Sequence, residues 1–390
     1  MSGNKPLEGV RVLEFARVLA GPWAGQLLAD MGADVIKIEN PNGGDETRQW
    51  GPPFIEDSDG SERSAAYFHA CNRGKRSVAL DLKNLKDLEV ASVLCSQADV
   101  IIENFKVGTM DRLCLGFGDV QRENPKVVYC SITGFGQTGP YKDRAGYDFI
   151  IQGMSGFMSI TGEADGQPMK AGVAITDILT GLYAVSAINA SLFKALKCGV
   201  GTHIDISLME VMAASLANQN MNYLATGSAP KRLGNAHPNI APYQVVPTMD
   251  GHIIIAAGND GQFRRLCKLL RTEALTSDPR FVTNDVRVKN REALTSLLEQ
   301  STRQWQRDML VEACAGKGVP AGPINTIADM FSDQQVEERG LQIKTLGGAL
   351  GVRSPLILNG MPSADMKPPP ALGEHGDHIK SEAFKGWPTQ

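Results

Sequence analysis

"GVRVLEFARVLAGPWAGQLLADMGADVIKIE", residues 9–39, carries the pattern that decides the fold. Residues 9–15 read as a strand, 22–33 as a helix and 34–39 as a second strand. Short apolar runs closed by turn residues suit strands buried on both faces of a sheet. The alternation then repeats outward along the chain. "RSVALDL" (76–82) is followed by a helical stretch over roughly 84–97, and "DVIIEN" (99–104) and "KVVYCSI" (126–132) are further short apolar runs. "THIDISL" (202–208) comes after the long apolar helix of "KAGVAITDILTGLYAVSAINASLFKAL" (170–196). Strands joined through helices close by right-handed crossovers, so the expected fold is α/β with a doubly wound, mostly parallel sheet.

Beyond about residue 210 the pattern changes. Helical stretches over 209–225, 289–300 and 303–315 surround one clear strand, "HIIIAA" (252–257), as in a smaller α+β domain. The large domain is expected over 1–210 and the small one over 211–330. The tail is Pro-rich, "MKPPPALGEHGDH" at 366–378, and is expected to be extended.

A chain of 390 residues with 42% hydrophobic and 21% charged residues suits a globular protein of two or three domains. A net charge of −4 offers no basic face for nucleic acid. Seven cysteines without a CxxC pair argue for a reducing compartment rather than a disulfide framework. The start of the chain lacks the apolar stretch of a signal peptide, and the apolar run at 178–193 is interrupted by polar residues. The expectation is a cytoplasmic protein that does not enter a membrane.

"GFGQTG" (134–139) fits the dinucleotide pattern G-x-G-x-x-G, but Pro140 and a polar run follow where a helix would have to open. A Gly-rich turn is the better reading. There is no G-x-x-x-x-G-K-[ST] for ATP and no G-x-S-x-G for a hydrolase. His375 and His378 form a close pair in the tail, where a solvated segment is the better reading than a metal site. Asp177 is the one carboxylate between Asp165 and Asp205, at the mouth of the long helix. Spacing alone favours a helix N-cap. A cap can also react: an acid held ionised by the helix dipole and local amides can attack a thioester. Backbone amides nearby could stabilise the oxyanion that forms.

Several motifs in one order point further: 6–39, "NRGKRSVALDLK" (72–83), "ADVIIENFKVGTMDRLCLGF" (98–117) and "CSITGFGQTGPY" (130–141). "AGYDFIIQGMSGFMSITG" (145–162), "GVAITDILTGLYA" (172–184), "GVPAGPIN" (318–325) and "LGEH" (372–375) complete the series. With these the chain resembles the class III coenzyme A transferases, the formyl-CoA transferase or CaiB/BaiF family, over nearly its whole length. "RQWGPPF" (48–54) and "GNAHPNIAPYQ" (234–244) bring it nearest the succinate–hydroxymethylglutarate CoA-transferase branch.

The resemblance implies that Asp177 is the nucleophile. It would attack acyl-CoA to give a mixed anhydride, then an aspartyl-CoA thioester, from which an acceptor acid recovers the CoA. Coenzyme A thioester would be a co-substrate, with no permanently bound cofactor and no metal. The implied CoA contacts are Val18, Leu19, Ala20, Leu80, Lys83, Asn104, Phe105, Lys106, Arg112 and Lys142. Formyl-CoA transferases carry an arginine after "KIE", where this chain has Asn40. The family's fold implies an interlocked homodimer in which 331–390 returns to the large domain. Succinyl-CoA is the expected donor, and glutarate, hydroxymethylglutarate, itaconate or malate the expected acceptor. A second carboxylate needs its own cation or donors; Lys231, Arg232, Asn235, His237 and Asn239 in the small domain are candidates.

The nearest rival is an acyl-CoA racemase of the same fold, which needs an acid/base pair across the α-carbon. Its histidine would fall at Tyr147, and no histidine stands between His69 and His203. The other rivals are a CoA-binding protein without turnover and a plain dehydrogenase, against which the missing helix after "GFGQTG" counts.

Overall fold

The computed structural model describes residues 5–56 and 63–384. They divide into two compact units. One takes the chain up to Phe157, then Lys170–Leu224, then the segment from Gln335 on; the other comprises Met158–Met169 and Ala225–Gln334.

In the first unit β1 (Arg11–Glu14), α1 (Ala20–Asp30) and β2 (Asp34–Glu39) form the βαβ unit that the opening stretch announces. β3 (Arg76–Ala79), α2 (Leu85–Gln97), β4 (Val100–Glu103) and β5 (Val128–Thr133) follow. Next come α3 (Asp148–Met154), the 24-residue α4 (Ile175–Cys198), β6 (Thr202–Ser207) and α5 (Leu208–Ser215). The strands pair in the order β3-β2-β1-β4-β5-β6, each neighbour parallel. That is the doubly wound order of mononucleotide-binding sheets, in which winding reverses between β1 and β4. Alternation along β1 separates two cores. Val12 packs with Ala24 and Leu28 of α1, Ile188 of α4 and Val211 of α5. Leu13 packs with Ala91 and Leu94 of α2 and with Ile379 from the tail.

Local chemistry sets the helix ends. Asn84 caps α2 by accepting the Lys86 N–H at 2.9 Å, and Ser207 caps α5 by accepting the Glu210 N–H at 3.0 Å. Gly199 closes α4 at φ +70°, a conformation glycine adopts without steric cost. α4 is the one helix among the described residues long and apolar enough to cross a membrane; here it is the crossover from β5 to β6. The tail runs without regular structure past Pro368–Pro370 and is fastened to this unit. The Asp365 N–H donates to Asp30 Oδ1 at 2.7 Å, and the His375 N–H to the Ser77 carbonyl at 3.0 Å.

The second unit holds an antiparallel sheet ordered β9-β8-β7: Ala321–Pro323, His252–Ala256 and Tyr243–Pro247. The single-strand reading is thereby corrected. "YQVVP" ends in proline and "AGP" is three residues long, so neither carries a strand-length apolar signal. The one helix expected over 209–225 is two, Leu208–Ser215 and Asn218–Thr226, broken where Ala217 adopts φ +46°. α6 (Asp260–Leu269), α7 (Arg291–Thr302) and α8 (Arg307–Gly316) close the core of this unit, with Phe263, Leu298 and Leu310 against Ile253 and Ile255.

Candidate active site

In a doubly wound sheet, ligands bind in the crevice outside the carboxyl ends of the strands, where the winding reverses. Two loops leave the sheet there, 15–19 after β1 and 104–108 after β4. Asn104 ties them together: its Oδ1 accepts the Arg17 N–H at 2.9 Å, and its Nδ2 donates to the Arg17 carbonyl at 2.7 Å. Val18 then takes φ +70°, a left-handed conformation that a β-branched residue occupies only under constraint. The constraint is Asp45, whose carboxylate accepts the Val18 N–H at 3.2 Å. Asp45 also accepts the Thr47 N–H and hydroxyl at 3.0 and 2.7 Å and pairs with Lys37 at 3.0 Å. Lys37 is fully buried and also bonds Glu14 at 3.0 Å. Burial works to lower its pKa, but the charges of Asp45, Glu14 and Glu39 outweigh that, so the ammonium stays charged. The β1 loop is therefore held in place by a buried ion network.

Asp177 opens into the cleft between these loops, together with Val18, Leu19, Ala20 and Lys142. It is not the helix cap. The N-cap of α4 is Ala174, with no side-chain cap hydrogen bond, and Asp177 is the third helical residue. The capping work is done from α3. Asp148 Oδ1 accepts the Thr176 N–H at 2.8 Å, while its Oδ2 accepts from Gln152 Nε2 at 2.7 Å. Gln152 Oε1 in turn accepts the Ala171 N–H at 2.8 Å, so the approach to α4 is pinned at two points.

Asp177 is 9% exposed. Burial, reinforced by the charge of Asp148, pushes its carboxyl up to about 7. The expectation that dipole and amides hold it ionised is corrected: loss of water outweighs both. One turn further, Gly181 lets α4 approach α1. A Cβ there would lie 2.8 Å from the Ala20 carbonyl oxygen and 3.0 Å from Trp23 Cδ1.

Asn104, Phe105 and Lys106 line the same cleft, and Phe105 continues into an outer compartment with Leu80, Lys83 and Asn40. Arg112 lies on the short helix Thr109–Arg112 and donates to Thr109 Oγ1 at 2.9 Å; Thr109 lines the outer compartment. The "GFGQTG" loop is a turn. Gly134 and Gly146 pack backbone to backbone, the Gln137 N–H donates to Asp205 at 3.0 Å, and the next α-helix starts only at Asp148. In the second unit Arg232 donates to the carbonyls of Glu163 and Gly166 at 3.2 and 2.8 Å. His237 Nδ1 accepts the Asn239 N–H at 3.1 Å, and the Asn239 carbonyl accepts from Asn284 at 2.9 Å. Lys231 and Asn235 are exposed.

Sequence reasoning missed Asp148, Asp45 and the Arg17–Glu46 ion pair, which lies where the two compartments of the cleft meet. A carboxylate and an amide four apart on α3, Asp148 and Gln152, were the available signal. Among the described residues no cluster of three or more His, Cys, Asp or Glu could hold a metal ion.

Fold and cleft together describe an α/β enzyme built around a crevice at the reversal of strand order. Residues 7–376 match CoA-transferase family III. The chain is 56% identical over 381 residues to a succinate–glutarate CoA-transferase of Agrobacterium fabrum, covering 97% of this chain and 95% of that one. It is 42% identical over 390 residues to the succinyl-CoA:glutarate CoA-transferase of Mus musculus, covering 98% and 87%. The solved structure of a CAIB/BAIF family protein from Brucella suis superposes with a TM-score of 0.87 at 54% identity, covering 98% of this chain and 100% of that one. The chain belongs to CoA-transferase family III and is a CoA-transferase.

Proposed function

We propose that the enzyme moves CoA from succinyl-CoA to a short dicarboxylic acid of the glutarate type, with Asp177 as nucleophile. The observation that carries this reading is a buried carboxyl opening into a cleft between the β1 and β4 loops. Val18, Leu19, Ala20, Asn104, Phe105, Lys106 and Lys142 would hold CoA on the inner side, and Leu80, Lys83 and Arg112 on the outer. The substrates named for the relatives support the dicarboxylate pair.

The ionised Asp177 attacks the thioester carbonyl and expels CoA thiolate, leaving a mixed anhydride. The thiolate attacks the aspartyl carbonyl, releases succinate and leaves an aspartyl-CoA thioester. The acceptor carboxylate attacks that thioester, expelling the thiolate again and forming a second anhydride. The thiolate then attacks the acceptor's acyl carbon, giving the new acyl-CoA and free Asp177. Each step exchanges one activated acyl bond for another, so no ATP is consumed. The first turn of α1 begins at the cleft with no side-chain cap, and the N–H groups of Ala20 and Gly21 are candidates for the oxyanion, since Pro22 has none and the Trp23 N–H donates to the Leu19 carbonyl. A carboxyl near 7 is partly protonated at rest, and ionised it is a better nucleophile than an ordinary, well-solvated aspartate.

Arg232, His237 and Asn239 remain our candidates for the remote carboxylate of the acceptor. α4 leaves Leu182, Tyr183, Phe193 and Leu196 exposed, and α3 leaves Phe149 and Ile150. So much exposed apolar surface supports a homodimer, with a second copy covering these helices. Seven free cysteines support a cytoplasmic site of action. A racemase is disfavoured, since the position of its histidine is held by Tyr147, 63% exposed.

The test is hydroxylamine added with succinyl-CoA, followed by peptide mapping. An aspartyl thioester or anhydride gives a hydroxamate at Asp177, whereas the free carboxylate does not. A turning-over enzyme with no label there refutes the covalent route. A panel of acids, read by chromatography of their CoA esters, identifies the acceptor.

A further inference from the structure

Arg17, Glu46 and Phe105 line both compartments of the cleft and so form its waist. Arg17 and Glu46 make an ion pair there, with side chains 44% and 45% exposed. The Arg17 guanidinium also lies 5.8 Å from the centroid of the Phe105 ring. We propose that Arg17 is a phosphate ligand for CoA and that Glu46 is its stand-in partner, surrendered when CoA enters. The inference rests on the reading of this cleft as the CoA site.

Three cations line the outer compartment: Arg17, Lys37 and Lys83. Lys37 is fully buried and committed to Glu14 and Asp45, which leaves Arg17 and Lys83 for an incoming anion. The same compartment contains Asn40, where the resemblance leads one to expect an arginine. Arg17 therefore supplies a guanidinium to the compartment that Asn40 leaves short of one.

The backbone of Arg17 is clamped on both sides by Asn104, so the side chain starts from a fixed point. An exposed ion pair contributes little stability, because both groups are well solvated. A phosphate offers the guanidinium two parallel charge-assisted hydrogen bonds and more negative charge than one carboxylate. Exchange of Glu46 for phosphate is thus favourable and leaves Glu46 solvated at the rim.

The experiment compares wild type, Arg17→Ala and Glu46→Gln. Calorimetry reads the Kd for CoA, and steady-state rates give KM for succinyl-CoA and for S-succinyl-pantetheine, which lacks every phosphate. Arg17→Ala should raise the Kd and KM for the CoA forms about tenfold or more and leave KM for the pantetheine thioester unchanged. Glu46→Gln frees the guanidinium and should tighten CoA binding by about two- to fivefold. If Arg17→Ala changes both thioesters equally, or neither, or if Glu46→Gln weakens CoA binding, the proposal is overturned while the CoA-transferase reading stands. If wild type does not bind CoA at all, both fall.

Discussion

Replacing Asp177 by Asn separates the carboxyl's chemistry from its cost to the fold. Asn keeps the size and removes the ionisable group. The folded-state pKa, about 7, lies above the ordinary value of 3.8, first through burial and then through Asp148. The unfolded chain therefore gives up this proton more readily than the folded one. The stability attached to the group is complete below the unfolded value and is lost as pH rises through about 7. The gap between 3.8 and about 7, at about 1.4 kcal/mol for each tenfold change in proton affinity, amounts to about 4 kcal/mol, most of it accruing between pH 4 and 7. Asn never ionises and escapes this loss. Urea unfolding of the two proteins at equal concentration, from pH 4 to pH 8, should show a small difference at pH 4. At pH 8 the Asn variant should be more stable by roughly 2–4 kcal/mol. Its turnover should fall by roughly a thousandfold or more, since the amide cannot form the acyl-enzyme. A stability difference that does not grow with pH would refute the burial argument, and near-normal turnover would refute the nucleophile.

Asp148→Asn keeps an acceptor for the Thr176 N–H but removes a negative charge, so Asp177 should ionise at lower pH; the acidic limb of the kcat/KM profile should move down, and an unmoved limb counts against the coupling. Gly181→Ala forces a methyl against the Ala20 carbonyl and Trp23, which should cost about 1–3 kcal/mol and lower Tm; an unchanged melt would show that α1 and α4 can part without cost. His237→Ala should raise KM for dicarboxylates and leave that for CoA unchanged. Efficient use of formate or acetate by wild type would sink the dicarboxylate assignment.

What the sequence determined by itself is what local pattern can encode. Residues 9–39 announced β1, α1 and β2, because a strand buried on both faces and the helix covering it must be apolar at set intervals. The same regularity showed β3 to β6, and the ordered motifs pointed to the family. Pattern failed where burial is slight or the element short: Tyr243–Pro247 and Ala321–Pro323 owe their strand form to pairing with His252–Ala256. Composition singled out Asp177 as a lone acid on an apolar helix but not its state. That state depends on Asp148, 29 positions earlier, and on lost water, and neither leaves a trace beside Asp177 in the chain. Likewise Asp45 holds Val18 and Arg17 meets Glu46 only because β2 pairs with β1 in parallel, which brings the loops leaving both strands to one end of the sheet. Periodicity records which face a residue buries. The charge and the dielectric around a group are set by residues distant in sequence, and the tertiary structure alone brings them together.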